Sequence, residues 1–465
     1  MPQTHWSTQQ IKLCNKETGQ AMLSDEHLLV SYSQDFGKIL RSDPAAFCRP
    51  ETPEKIQTIL NFTHQNDLAL TIRAKGLSQG GQALALNGGL TLHLEQLSKV
   101  LDKEPQAIWV EANCTWSQLL DLSLKSSQIP YVLPYNCNLS IAGVISAGGV
   151  GASSFKFGPI TAHIKALEVV LANGEIRIVD ENSPLFHACL SGQGRFAVIT
   201  KACIKLRPCA KQVRSFFLSY LNKAQWLNDL DEFKRKADYI EAFCSPSIQG
   251  AKLVAGKRVP FAQWLFAIHV SFEYDQTPPE FSTQFKDFKP WKILHQQDEL
   301  IHTFLLRHDS RFEAMKLSGQ WDLVHPWYEC FIPKVILEAI LDELLAELPL
   351  FFASTLQVVQ LANKQQNGFL MLPDLENVYS LMIMNPGINP IFLPGCLEII
   401  ENLDKKLLKL GGKRYLSGYL GSNLCESYWQ SHFGSLYKDW VGLKAIYDER
   451  HIFGSVLHNN SSSTY

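Results

Sequence analysis

The N-terminal half of the chain alternates between helical and strand-like hydrophobic periodicity. A threonine cap at Thr52 and a proline at Pro53 begin a segment with an apolar helical face, which leads into a strand ending at Arg73. A second strand-like run, Leu90–Leu94, follows a glycine-rich loop. The apolar face of the predicted helix is formed by Ile56, Ile59 and Leu60. Helices and strands therefore alternate from the outset.

Two further elements have clear turn signals. An Asn-Gly pair at 173–174 separates two alternating apolar runs, which predicts a β-hairpin between residues 166 and 179. Next, Asn182 and Pro184 predict the start of a short helix, Gly192 predicts its stop, and Phe196–Leu206 reads as a strand. After Pro208 the segments become longer and richer in aromatic residues, which indicates a second domain.

The glycine-rich loop between the first two strands carries the candidate chemistry. Glycines allow close backbone approach, so the N–H groups around Gly76 and the hydroxyl of Ser78 can donate to a pyrophosphate. Because a strand rather than a helix follows, the pattern argues against a Rossmann fingerprint. A long hairpin loop without a ligand is the alternative. A second small-residue segment, Asn138–Gly158, is too apolar for a linker and is expected to wrap a flat ligand.

Composition limits the classes of function. The chain has 465 residues, 46% of them hydrophobic, which is enough for two sizeable cores. A formal net charge of −2 without a basic block excludes nucleic-acid binding through a phosphate-neutralising patch. Eleven cysteines without a C-x-x-C pair indicate reduced thiols. With no basic segment before an apolar run at the start, we expect no signal peptide, no membrane span and a cytoplasmic location.

Several motifs together resemble the PCMH-type FAD-binding fold of the vanillyl-alcohol oxidase superfamily, and within it the cytokinin dehydrogenases. The family's pyrophosphate loop, R-G-x-G-H-S-x-x-G-Q, is matched from Arg73 to Gln82. Its T-L-S-N-A-G and F-x-x-G-P motifs are similar to Asn138–Gly143 and Phe155–Pro159. The motif H-P-W-L-N-L-F-V-P, which belongs to the cytokinin branch, is matched at His325–Pro333.

The resemblance implies an α+β fold with a non-contiguous FAD-binding domain. Residues 1–209 and 416–465 are assigned to that domain, and residues 210–415 to a substrate domain with an antiparallel sheet flanked by helices. The amphipathic segment Pro333–Leu348 is expected to face its core, with a partner or membrane surface as the alternative. No metal site is predicted. The cofactor-binding residues that the resemblance implies are Ile72, Arg73, Ala74, Lys75, Gly76, Leu77, Ser78, Gln82, Asn138, Ser140, Gly143, Val144, Ile199 and Tyr415.

The chain departs from the family at the positions that attach the flavin and accept the proton. Leu77 stands where the family has the histidine that attaches FAD covalently, so a non-covalent flavin is expected. Counting back without gaps from Asn138 places Ile129 at the position of the family's catalytic aspartate, and no acidic residue lies between Asp121 and Asn138. The family's late L-S-P-G-Q segment is replaced by Ile452–Leu457.

A replacement base is available from the cytokinin-type motif. If this segment is a strand with Trp327 facing the ligand, the two-residue period puts Glu329 on the same face. The alternative is that Glu329 is a solvated or salt-bridged strand residue. His325, before a proline, is interpreted as structural.

The expected partner is a small-molecule substrate, and three functions remain open. The favoured one is an FAD-dependent oxidoreductase acting on an amine such as an N6-substituted adenine, with oxygen or a quinone as acceptor. The second is an FAD oxidase of an alcohol, alditol or lactone. The third is a non-catalytic flavoprotein that has lost the histidine and the aspartate of the family.

Overall fold

The computed structural model describes residues 2–348, 350, 355–362, 368–375, 377–421 and 424–458. A small parallel sheet lies at the start of the fold, with the strand order β1-β3-β2. Its strands are β1 (Ala46–Cys48), β2 (Leu70–Arg73) and β3 (Leu90–His93). Because β2 and β3 are parallel, the glycine-rich loop between them is a crossover connection, and the hairpin alternative is wrong.

A six-stranded antiparallel sheet follows, with the order β4-β5-β9-β7-β8 and with β6 paired to β9. Strands β7 and β8 are antiparallel on either side of the Asn-Gly turn, so the predicted hairpin is confirmed. The six strands are β4 (Val100–Glu104), β5 (Ala107–Glu111), β6 (Gln128–Pro130), β7 (Ile164–Val170), β8 (Ile176–Asp180) and β9 (Val198–Pro208).

Helices pack on these sheets as the caps predict. The hydroxyl of Thr52 accepts the N–H of Lys55 at 3.3 Å, and the apolar face of the following helix is fully buried. The helices of this part are α1 (Thr8–Thr18), α2 (Glu26–Leu29), α3 (Pro53–Gln65), α4 (Trp116–Ser123), α5 (Ile141–Ala147), α6 (Ser154–Phe157) and α7 (Pro184–Cys189). Both predicted helix starts, at Pro53 and Pro184, are confirmed.

An eight-stranded antiparallel sheet forms the second half, in the order β13-β10-β12-β11-β15-β16-β14-β17. All of its strands lie between Gln212 and Arg414. They are β10 (Gln212–Tyr220), β11 (Tyr239–Val254), β12 (Lys257–Tyr274), β13 (Lys292–Leu300), β14 (Tyr328–Pro333), β15 (Thr355–Ala362), β16 (Asn377–Met384) and β17 (Lys413–Arg414). The α+β fold class is confirmed, whereas the domain boundaries at 209/210 and 415/416 stay predictions.

Helices cover this sheet. They are α8 (Lys223–Phe233), α9 (Phe281–Gln284), α10 (Ile301–Leu305), α11 (Asp309–Leu317), α12 (Lys334–Glu347) and α13 (Leu393–Lys409). Helix α12 buries a leucine face in the hydrophobic core beside the eight-stranded sheet, as its amphipathic pattern predicts. The buried residues of that face are Leu337, Leu341, Leu344 and Leu345. Short 3₁₀ turns span Val30–Tyr32, Leu124–Ser126, Ile160–His163, Gln320–Asp322, Pro390–Phe392, Gly434–Leu436 and Val456–His458.

The last described segment returns to the first sheet through α14 (Glu426–Phe433) and α15 (Tyr437–Tyr447). Leu70 donates its N–H to Ile452 and accepts the N–H of Gly454, so the segment pairs with β2 just before the glycine-rich loop. No helix among the described residues is both long and apolar enough to cross a membrane. All eleven cysteines are free thiols.

A buried ion pair fixes this return. Lys444 and Asp448 contact each other one helical turn apart, with side chains 2% and 0% exposed. Lys444 also donates to the carbonyl of Phe453 at 2.9 Å. Asp448 accepts the N–H groups of Ile452 and Phe453 at 2.7 and 2.9 Å. The pair therefore sets the path of the segment that supports β2.

Replacing Asp448 by alanine is expected to destabilise the fold by about 3–5 kcal/mol, because it leaves the Lys444 ammonium buried without a counter-ion. The measurement is the free energy of unfolding in denaturant. The exposed Asp439 of the same helix is the control, and Asp439→Ala should cost below about 1 kcal/mol. Equal effects of the two variants would show that the buried pair does not hold the segment.

Candidate active site

A large cavity lies between the glycine-rich loop and the eight-stranded sheet. It has about 290 Å³ of space for the centres of water molecules, and one water needs roughly 10–15 Å³ of such space, so a much larger ligand can enter. One wall is formed by residues 74–79, 82 and 83, by the segment around α5 and by the start of β9. The opposite wall comes from α11, β14, β16 and the segment 415–418.

The glycine-rich loop offers donors to a phosphate group. Among the described residues, the N–H groups of residues 75–78 donate to no protein acceptor. The buried hydroxyl of Ser78 likewise has no hydrogen-bond partner. Unpaired donors on one short loop facing a cavity are typical of an anion-binding nest. The residues present therefore fit the pyrophosphate of a dinucleotide such as FAD.

Arg73, which the resemblance assigns to cofactor binding, does not line the cavity. Its guanidinium lies behind the loop and donates to the carbonyl oxygens of Ser31 at 3.2 Å and Ala83 at 3.3 Å. A Cβ atom added to Gly76, which has a φ of +66°, would lie 2.5 Å from the Arg73 guanidinium carbon. Arg73 thus supports the loop from inside, and glycine is required at position 76 because the arginine occupies the space.

Asp35 is a second supporting residue, which the sequence analysis missed. Its carboxylate is 3% exposed and accepts the N–H of Gly81 at 3.0 Å. Burial raises the pKa of Asp35 to about 7, although the hydrogen bond from Gly81 and the charge of Arg73 act in the opposite direction. Asp35 lies 46 positions from Gly81, so no local pattern signals the contact.

The loop is also joined directly to the opposite wall. The amide oxygen of Gln79 accepts the N–H of Trp327 at 3.2 Å, and the N–H of Gln79 donates to Ser417 at 3.0 Å. The side chain of Gln82 donates to the carbonyl of Leu416 at 2.5 Å. The cofactor side and the substrate side of the cavity are therefore one hydrogen-bonded unit.

The structure brings most of the other predicted cofactor residues to the cavity. Tyr415 lines it and accepts the N–H of Gly149 at 2.9 Å. Asn138 does not line it; its exposed amide donates to Asp309 at 3.2 Å. The remaining predicted residues that line the cavity are Ile72, Ala74, Lys75, Gly76, Leu77, Ser78, Gln82, Ser140, Gly143, Val144 and Ile199.

Trp327 and Glu329 both line the cavity, as the two-residue strand period predicts. The indole of Trp327 donates to the carbonyl of Asn385 at 2.8 Å, which fixes the ring at the wall. Glu329 is the only carboxylate among the lining residues that the structure describes. These two residues therefore place an aromatic face and a proton acceptor in the same cavity.

Glu329 is neither solvated nor salt-bridged, so the alternative reading of this residue is wrong. It is 9% exposed, and its carboxylate accepts the hydroxyl of Ser417. Within the described chain no cation forms a salt bridge with it; the nearby Arg414 is bound to Asp404 at 2.9 Å. Burial raises the pKa of Glu329 to about 7, against the lowering effects of Ser417 and Arg414.

His325 and Ile129 lie outside the cavity lining. The His325 ring stacks on Phe36 with the centroids 4.4 Å apart, and its Nε2 lies 3.2 Å from the carbonyl oxygen of Trp321, in agreement with a structural role. Ile129 lies in β6 and packs in an apolar cluster that includes Phe304. The gap-free register therefore does not lead to a position in this cavity, and Ile129→Asp would bury a carboxylate among apolar side chains.

The part of the cavity away from the glycine-rich loop is lined by flat and soft side chains. Aromatic rings and thioethers pack well against planar ligands. Sequence analysis missed these residues because they come from separate strands, helices and turns. They are Phe243, Phe312, Met315, Trp321, Met382 and Met384, and Phe36 adds a further ring beside the loop, where its N–H donates to Ser78. At the rim, His308 bonds to the buried Glu241 at 2.8 Å.

Two family models match the chain in agreement with this geometry. The model described as "FAD binding domain" matches residues 44–180, which include the glycine-rich loop and α5. The model described as "Cytokinin dehydrogenase 1, FAD and cytokinin binding" matches residues 262–456, which include β14 with Glu329. The class defined by the fold and the site is therefore that of FAD-dependent oxidoreductases.

Individual relatives agree over most of the chain. Cytokinin dehydrogenase 9 of Oryza sativa subsp. japonica is 26% identical over 91% of this chain and 87% of its own length. Cytokinin dehydrogenase 2 of Arabidopsis thaliana is 23% identical over 94% and 92%. An uncharacterized oxidoreductase of the fasciation locus of Rhodococcoides fascians is 26% identical over 91% and 95%. The chain is thus similar to cytokinin dehydrogenases over most of its length and carries the domains of an FAD-dependent oxidoreductase.

Gly76→Val is expected to abolish FAD retention, because a side chain at position 76 displaces Arg73 and with it the donor loop. The measurement is the FAD content of the purified protein. Gly19 provides a matched control: it has the same φ of +66°, and a Cβ added there meets nothing within 4 Å. Gly19→Val carries the same backbone strain but should keep its FAD. Full FAD content in Gly76→Val would show that the loop does not hold the cofactor.

Proposed function

We propose that the protein oxidises a secondary amine on a planar substrate, such as an N6-substituted adenine, with Glu329 as the proton acceptor. The observation that supports this assignment is a buried carboxylate, the only one among the described lining residues, in a cavity lined mainly by apolar and aromatic groups, with Lys75, His308 and Arg311 as its basic side chains. A carboxylate with a pKa of about 7 is well suited to general-base chemistry at neutral pH. A base of this kind contributes roughly 10²–10⁴-fold to a rate.

Each wall of the cavity has a part in the proposed reaction. The glycine-rich loop binds the pyrophosphate of FAD, and bound FAD supplies the hydride acceptor. Trp327, Phe36 and the methionines bind the planar ring and exclude water. Glu329 takes the proton from the substrate nitrogen at its carboxylate, and the Ser417 hydroxyl stabilises the charged form of that carboxylate until the proton arrives.

The flavin is proposed to be non-covalent because Leu77 faces the cavity without a nucleophile. Oxygen or a quinone is the proposed electron acceptor. We also propose a cytoplasmic location, which the eleven free thiols support.

The alcohol oxidase and the non-catalytic flavoprotein are the competing assignments, and anaerobic mixing of the protein with candidate substrates separates all three. Loss of the yellow flavin absorbance on mixing with amines supports the proposal. Loss of that absorbance with alcohols alone supports the alcohol oxidase, and no loss with either supports the non-catalytic flavoprotein.

The purified protein should be yellow and should release its FAD on acid or heat denaturation, because leucine forms no bond to a flavin. The measurement is flavin fluorescence of the supernatant and of the denatured chain on a gel. Flavin that stays on the denatured chain would contradict the assignment of Leu77, as would a colourless protein that takes up no FAD.

Glu329→Gln should slow anaerobic flavin reduction by an amine by at least ~10²-fold at neutral pH, with a smaller change in substrate binding because the amide keeps the shape. In the parent, the rate should rise with pH up to about 7 and then level off, since only the ionised carboxylate accepts a proton. This inflection should disappear in Glu329→Gln. Rapid-mixing spectroscopy across the pH range is the measurement.

Ser417→Ala is the companion variant. The Ser417 hydrogen bond lowers the pKa of Glu329, so its removal should raise that pKa and move the inflection to higher pH. A purely structural role of Glu329 would leave the position of the inflection unchanged in Ser417→Ala. An unchanged inflection, or an unchanged rate in Glu329→Gln, would remove Glu329 from the mechanism.

A further inference from the structure

Strands β11 and β12 continue beyond the eight-stranded sheet as a two-stranded ribbon. In the described chain, β11 pairs with β15 only over 242–244, and β12 pairs with β10 only from Phe266 onwards. Residues 245–265 continue as a β11–β12 hairpin with a turn at Ala255 and Gly256. Phe266 lies nine positions along the strand from Lys257, which corresponds to a ribbon of roughly 30 Å.

The end of this ribbon is apolar and exposed. Leu253 and Val254, beside the turn, are 66% and 47% exposed, and Ile248, Val259 and Phe261 are exposed further back. An isolated two-stranded ribbon is marginally stable in water, so apolar side chains at its end indicate a surface that covers it. The sheet register also places the exposed Leu221 and Trp291 at the base of the ribbon.

The charge of the ribbon identifies the kind of surface. Between Cys244 and Phe266 the sequence has three cations, Lys252, Lys257 and Arg258, and no acidic residue. No salt bridge involves these cations in the part of the chain that the structure describes. They flank Leu253 and Val254, so an apolar tip is surrounded by positive charge. A partner surface that complements this tip has a negatively charged outer layer and an apolar interior beneath it.

We propose that this ribbon attaches the protein to an anionic lipid bilayer, with Leu253 and Val254 inserted between headgroups and the three cations bound to lipid phosphates or carboxylates. Lysines and arginines near an anionic membrane each attract it, and apolar side chains at the interface add to the affinity. A second copy of the chain is a poorer partner, because a symmetric contact would bring two sets of three cations together. Nucleic acid is a poorer one because the outermost side chains are apolar.

The experiment is flotation of the full-length protein with vesicles of phosphatidylcholine alone, or of phosphatidylcholine and phosphatidylserine in equal parts. We expect binding to the mixed vesicles only, weakening as salt is raised. The triple variant Lys252→Glu, Lys257→Glu, Arg258→Glu should bind about a hundredfold more weakly. The double variant Leu253→Ser, Val254→Ser should lose at least about tenfold. Circular dichroism verifies that each variant is folded.

Ile178, which is 71% exposed on β8, is the matched apolar control, and Ile178→Ser should bind the mixed vesicles like the parent. Absence of binding to the mixed vesicles would overturn the proposal, as would equal binding to both kinds of vesicle or unchanged binding of the triple variant. Light scattering covers the remaining outcome: a dimer that the double variant converts to a monomer would assign the ribbon to self-association instead.

Discussion

The site depends on two buried polar side chains behind the glycine-rich loop, Arg73 and Asp35. A loop that binds a phosphate with its N–H groups must leave those groups unpaired, which removes the usual backbone bonds that hold a loop in shape. Arg73 and Asp35 supply the missing support from the interior by bonding to carbonyl oxygens of the loop and its neighbours and to the N–H of Gly81. Gln79 and Gln82 then transmit this fixed geometry to β14 and the 415–418 segment.

The same unit explains why Glu329 carries a raised pKa. Burial against the loop and the sheet disfavours its charged form, and the Ser417 hydroxyl and the Arg414 guanidinium only partly compensate. Between the ordinary pKa of 4.5 and about 7, the folded state holds the proton more tightly than the unfolded state, so stability falls as pH rises through this range. Ionised Glu329 at neutral pH therefore costs roughly 3 kcal/mol of folding stability. That cost is typical of a functional group and unusual for a structural one.

Sequence patterns predicted those features of the fold that depend on neighbouring residues. The caps at Thr52 and Pro184, the Asn-Gly hairpin, the core face of α12 and the shared face of Trp327 and Glu329 all follow from turn chemistry or periodicity. Arg73, which the motif similarity assigns to cofactor binding, lies behind the loop because strand alternation sets its side chain opposite to those of Ile72 and Ala74.

The remaining parts of the site could not be predicted from the sequence. The Asp35 to Gly81 bond and the Gln82 to Leu416 bond join residues 46 and 334 positions apart, and the aromatic wall combines residues from several elements. Such contacts depend on how the sheets pack, which periodicity does not encode. The position of Ile129 shows the same limit. A gap-free count aligns Ile129 with the family's catalytic aspartate, whereas the path of β6 places it in a separate apolar cluster.

A crystal structure of the protein with FAD and an unreactive N6-substituted adenine analogue tests the central claim most directly. The account predicts the pyrophosphate on the N–H groups of residues 75–78 and the analogue between Trp327 and the bound flavin. The N6 nitrogen should lie about 2.6–3.2 Å from the Glu329 carboxylate. A pyrophosphate bound elsewhere, or an analogue whose nitrogen faces away from Glu329, would contradict the account.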